Sequence, residues 1–128
     1  MVSRIVKAEN PVIEIADAVS HARKSGYTWW GTAKNGVYAD DLIVFKIGDS
    51  SGGHGVLYSV DLLEADEIDE QDFLNHRPEN WPTEKHFKRY HKVVGGRVEF
   101  VPRSEMKMRD GEPLHVRALR TNVIVDFD

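Results

Sequence analysis

Two runs of β-branched and aromatic residues, Leu42 to Ile47 and Val56 to Leu63, flank the glycine-rich segment GDSSGGHG, Gly48 to Gly55. This leaves the chain little choice. The runs pair as an antiparallel hairpin, with glycine supplying the positive backbone angles that a turn requires. The tip is predicted to be long and flexible, and the rest of the fold has to be built around this sheet nucleus.

Before the hairpin, Val2 to Val6 reads as a short strand leading into Asn10-Pro11, an N-cap followed by proline at the first helical position. Val12, Ala16 and Val19, with Ile15 and Ala22, then recur at helical steps until Gly26 stops the helix. After the hairpin, Glu67 to Asn75 forms a short acidic helix around Phe73 and Leu74, and Pro78 and Pro82 bracket Asn80-Trp81 in a loop. Thr83 caps a further predicted helix, EKHFKRYHKVV, with Phe87, Tyr90 and Val94 at helical spacing and Lys85, Lys88, Arg89 and Lys92 on the opposite side. Gly95-Gly96 ends it. Strands follow at Arg97 to Val101, Leu114 to Leu119 and Asn122 to Phe127. Strand and helix do not alternate regularly, as a parallel sheet would require. The expectation is one α+β domain over residues 1–128, a small mixed and strongly bent β-sheet or barrel with peripheral helices.

Composition narrows the function. The chain has no cysteine, which excludes disulfides, zinc–thiolate sites and cysteine nucleophiles. No apolar run approaches the ~20 residues that span a bilayer, and MVSRIVKAENP lacks the apolar stretch of a secretory signal. A cytoplasmic protein without membrane contact is expected. The net charge of −4 opposes binding to nucleic acid by overall basicity. Its distribution is uneven, however: −2 over residues 1–64, −5 over 65–81 and +3 over 82–128. The last third can present a positive surface that the total conceals.

The catalytic patterns fail on context. GDSSG fits G-x-S-x-G, but that elbow needs a strand-to-helix turn, and strands lie on both sides here. GDSSGG also matches the nucleophile segment of trypsin-like proteases, which need two barrels and an upstream histidine and aspartate. His54-Gly55 stands where a phosphate loop would want lysine and then serine or threonine. The six histidines show no recognised ligand spacing, so no metal or other cofactor is assigned.

The most unusual stretch is GYTWWGTAKNG, Gly26 to Gly36. In a strand, Trp29 and Trp30 point to opposite faces, so one can be core while the other lines a pocket. Trp81 sits in its proline-bracketed loop, where no core pattern needs a large aromatic. Such residues serve either packing or a flat slot for a base or another planar ligand. The basic side of the predicted helix is either a solvated face or a phosphate-binding one.

In this order, an initial strand and helix, then WWGTAKNG, VYADDLIVFKI, GVLYSVDLLEADE and NWPTEKHF, the chain resembles the PUA-like superfamily and, within it, the EVE and YTH-related domains, over roughly residues 1–101. It departs from their pattern at Ala39-Asp40-Asp41 and at Phe45-Lys46. The resemblance implies a pocket on a bent β-barrel that accepts a flipped or single-stranded modified base of DNA or RNA. Trp30 and Trp81 would be its walls, with Tyr27 or Trp29 as substitutes. Thr32, Asn35 or the nearby backbone would read the polar edge, with Lys34 in the same stretch, and phosphates would run over Lys85, Lys88, Arg89 and Lys92. Two alternatives remain. The related ASCH domains include amidohydrolase-like members using a lysine, a threonine and a glutamate, for which Lys34, Thr32 and Glu64 or Glu67 are the nearest equivalents. A non-enzymatic interaction protein would instead bind a protein partner through its acidic segment, residues 65–81, or through exposed aromatics.

Overall fold

The computed structural model describes residues 2–32, 40–108, 111–112, 114 and 124–126. The hairpin is its centre: β3 (Asp41–Lys46) pairs antiparallel with β4 (Gly52–Glu64), Leu42 opposite Leu57 and Ile43 opposite Val56. The glycine-rich segment does not form one long tip, because β4 already begins at Gly52. Gly48, at a φ of 82°, makes the turn as expected, whereas Gly52, Gly53 and Gly55 serve close packing. A Cβ on Gly53 would lie 2.4 Å from Ile43 Cγ2, and one on Gly55 would lie 2.6 Å from both Arg97 O and Ile15 Cδ1.

β1 (Val2–Ala8) runs parallel to β3, with Val6 opposite Val44. Such a parallel pair needs a crossover, supplied by α1 (Pro11–Ser25) and β2 (Thr28–Thr32). β2 itself lies at the far edge, antiparallel to β5 (Arg89–Pro102), which also pairs with β4 along nearly its whole length. With β6 (Lys107–Met108) and β7 (Ile124–Asp126), the sheet order is β2-β5-β4-β3-β1-β7-β6. Among the described residues, β2 and β6 do not pair with each other, so the sheet is open and the barrel alternative is corrected. The fold class is α+β, a mixed sheet with α1 and a short α2 (Glu70–His76) packed on it.

Alternation along the strands builds a core on both faces. Val6, Ala8, Trp30, Leu42, Val44, Leu57 and Val93 pack with Ile15, Ala18 and Val19 of α1. Their neighbours Ile5, Ile43, Phe45 and Val56 pack with Val101, Met106, Leu114 and Val125, while Trp29 and Tyr90 pack with Ile68 and Phe73.

The helix expected after Thr83 is absent: residues 83–88 are irregular and Arg89 begins β5. The spacing of Phe87, Tyr90 and Val94 misled because it joins residues of different settings: Phe87 lies in the loop before β5, Tyr90 is buried in the strand and Val94 is exposed on it. Tyr90, His91 and Val93 are all buried, and ladders to both β2 and β4 override local helical preference. The common helical face of Lys85, Lys88, Arg89 and Lys92 therefore does not exist. The expected strand at Leu114 to Leu119 lies outside the described residues except for Leu114, which is buried.

Candidate functional site

β1 and β2 are separated by three strands in the sheet order, yet the ends of both line one cleft of about 610 Å³. Val6, Lys7, Ala8, Glu9 and Asn10 supply one side, and Trp30, Gly31 and Thr32 the other. Ile47, the first turns of α1 and the loop around Trp81 complete it. The cleft is thus the open seam of a curled sheet. Ile47 N–H donates to Ala8 O at 3.0 Å, so the backbone polar groups of Ala8 face β3. Those groups alternate edge by edge along a strand, so the N–H and C=O of Lys7 face the other edge, toward the seam. β7 occupies that edge only from Val2 to Arg4 among the described residues.

The two tryptophans meet: the ring centroids of Trp30 and Trp81 are 5.1 Å apart at 55°, and both rings line the cleft. Trp30 is only 3% exposed and belongs to the α1-side core. Trp81 is half-buried against it and carries the accessible aromatic surface. The loop bearing Trp81 is held by Arg77, whose Nη1 donates to the carbonyls of Trp81 at 2.8 Å and of Pro78 and Glu79 at 3.2 Å each. Phe87 stands 5.7 Å from Trp81 and presses on β2 at Gly31, where a Cβ would lie 2.2 Å from the Phe87 ring.

Polar groups converge on the same cleft. Asn10 precedes α1 without using its side chain as a cap; its backbone N–H instead donates to Glu14 Oε2 at 3.1 Å. Thr32 is buried, and Glu9, Glu14, Lys7, Asn80 and His86 stand around the opening. Carboxylates and side-chain amides of this kind pair with the ring N–H and amino groups of a base, and backbone groups at a strand edge serve the same purpose.

Trp29 and Tyr27 lie elsewhere. Trp29 is buried on the α2 side, consistent with the opposite-face geometry of adjacent strand residues. Tyr27 stacks on His76 at 3.8 Å, donates its hydroxyl proton to Asp72, and has Lys92 Nζ 4.3 Å from its ring centroid. Its pKa is pushed up to about 12, first by the hydrogen bond to Asp72 and then by burial. Lys34 and Asn35 lie outside the described residues.

The basic residues are dispersed. Lys85 Nζ donates to Ile68 O, Arg89 Nε pairs with Glu64 Oε1 at 2.8 Å, and Lys88 is exposed. Arg89 and Lys92 are three apart on one strand and so point to opposite faces. Thr32, Arg89 and Glu64 form one cross-strand row, in which Glu64 is spent on the ion pair, while Glu67 is exposed in a 3-10 turn.

No family model matches the chain, and no curated protein matches it. Among solved structures, the crystal structure of the YTH domain of the Zygosaccharomyces rouxii MRB1 protein in complex with N6-methyladenosine RNA is similar at a TM-score of 0.49, with 14% identity over 98% of this chain and 79% of that one.

Gly31, Phe87, His86, Ile47 and the stretch from Val6 to Asn10 belong to the cleft through the fold and carry no site pattern in the sequence. Only the glycine after Trp29-Trp30 hinted at a close approach. Beneath the cleft side of the sheet lies a buried polar group: His91, with Nδ1 2.9 Å from Ser59 Oγ, and Arg4, whose Nε donates to Asp40 Oδ2 at 2.8 Å. Burial, and secondarily the Arg4 charge, lower the His91 pKa to about 4.

Proposed function

We propose that the cleft receives a single unstacked base of a nucleic-acid strand and favours a methylated one. The observation that carries this reading is the meeting of Trp30 and Trp81 in a cleft whose remaining lining mixes apolar surface with a few polar groups. Its volume lies in the ordinary range for small-ligand sites. A base stacked on Trp81 gains about 1–3 kcal/mol, and a methyl group buried against Trp30, Phe87 or Ile47 adds roughly 0.8 kcal/mol. Asn10, Thr32 and the seam-facing backbone of Lys7 read the polar edge of the base. Glu9 and Glu14 favour an edge that presents donors and disfavour phosphate inside the cleft.

The test is a tryptophan-fluorescence titration with methylated and unmethylated nucleosides and short single strands, repeated on Trp81→Ala. Trp81 is the residue to remove, because Trp30→Ala would excavate the core at a cost of about 3–5 kcal/mol. Saturable quenching stronger for the methylated ligand and lost in Trp81→Ala supports the reading. Equal affinity for methylated and unmethylated forms, or full binding by Trp81→Ala, overturns it.

A further inference from the structure

β5 pairs with β4 along nearly its whole length, but on its other edge β2 reaches only from Arg89 to Val93. Over residues 94–102, no strand among the described residues pairs with that outer edge. The Arg97 carbonyl faces β4, since a Cβ on Gly55 would lie 2.6 Å from it. Strand polar groups alternate from edge to edge, so the N–H and C=O of Gly96 and Val98 point outward. We propose that this edge pairs with its own copy, joining two chains through antiparallel β5 strands about a two-fold axis at Val98.

The edge is self-complementary in length and in side chains. Val98 is the midpoint of residues 94–102, so a copy rotated about it covers the open stretch and ends with its Pro102 beside Val94, just short of β2. In that register, Val98 meets Val98 of the partner subunit. Arg97 of each copy stands opposite Glu99 of the other, and Gly96 opposite Phe100, as an isologous interface requires.

The two faces of the strand divide the work. Arg97 and Glu99 lie on the face away from α1, where Arg97 Nε meets Glu99 Oε1 at 2.7 Å and Nη1 donates to the Tyr58 hydroxyl at 2.6 Å. A guanidinium has further N–H donors, which would meet the carboxylate of the other copy. Gly96 and Val98 lie on the α1 face, beside Ala16 and Val19. Phe100 shares that face, because its neighbour Val101 packs in the core on the other. A ring laid across the facing glycine covers backbone that the glycine leaves open.

Proteins guard open edges with bulges and lysines. β5 does slip in register against β4 between Val98 and Val101. Yet the stretch carries no lysine, exposes Val94, Val98 and Phe100, and sets its opposite charges at matching positions. An edge built only to repel its own copy would not match charges in this way.

The experiment is sedimentation equilibrium of the full chain, combined with cysteine cross-linking. The chain has no cysteine, so Val98→Cys introduces a single thiol at an exposed position. Two such residues facing each other in a hydrogen-bonded pair have Cα atoms about 5.5 Å apart, within reach of a disulfide. Phe100→Cys is the control, because the two copies of that position would lie roughly 13 Å apart along the strands. A concentration-dependent dimer is expected, with oxidation linking Val98→Cys and sparing Phe100→Cys. Arg97→Glu places like charges opposite each other and is expected to weaken the dimer about tenfold. The swap of Arg97→Glu with Glu99→Arg restores the pairing and is expected to restore affinity, which a mere loss of the Tyr58 contact would not allow. A chain that stays monomeric up to about 1 mM, the weak end of specific association, overturns the proposal. So does a dimer that links equally through both cysteine positions, or one indifferent to Arg97→Glu.

Discussion

Gly31 has no side chain, and Phe87 uses the vacancy: the ring lies where a Cβ would be, 2.2 Å from its nearest atom. Gly31→Ala is therefore expected to push Phe87 off β2, costing about 1–3 kcal/mol in urea unfolding by overpacking and weakening ligand affinity beyond what the stability loss explains. His91 makes a second single-residue prediction. Its folded pKa is about 4 against an ordinary value of 6.5, so between these values the unfolded chain binds the extra proton. Stability is then constant in this respect above pH 6.5 and falls as pH drops toward 4, by about 3 kcal/mol in total. Urea midpoints measured from pH 7 to 4 should show this decline, and His91→Phe should flatten that part of the profile. Neither role could be read in full from the sequence: the position of Gly31 after two tryptophans hints at a close approach, but which ring crosses it, and what buries His91, depend on distant parts of the chain.

Among the elements, the loop from Pro78 to Trp81 depends on Arg77, which holds three of its carbonyls with one nitrogen. Arg77→Ala is expected to cost about 2 kcal/mol, in line with charge-assisted hydrogen bonds, and to shift Trp81 emission to the red while lowering base affinity. Intact emission and affinity would show that the loop holds itself. The sequence placed this loop correctly from its prolines, as it placed α1 from Asn10-Pro11 and Gly26 and the β3–β4 pair from its β-branched runs. It failed from Thr83 to Val94, where aromatic and valine spacing imitated a helix. The helical period is a local signal, and β5 is specified by two partners distant in the chain. Dissolving that helix also dissolved the single basic face predicted on it.

Across the whole molecule, the cleft exists because the sheet curls without closing, leaving the ends of β1 and β2 on opposite sides of a seam. The Lys7 N–H faces that seam, so a base bound there should slow its hydrogen exchange. Exchange that requires ligand release should slow on the order of 100-fold at a ligand concentration 100 times Kd. An unchanged rate at saturation would place the ligand elsewhere. The α+β class, the first helix, the central hairpin and the opposite facing of Trp29 and Trp30 are legible in the order of residues, because they follow from local propensity and the two-residue period of a strand. Which tryptophan meets Trp81, the place of the β1 end as one side of the cleft and the dispersal of the positive residues emerge only in three dimensions. Those outcomes depend on strand order and sheet curvature, set by long-range pairing and by glycines that let strands and helix approach.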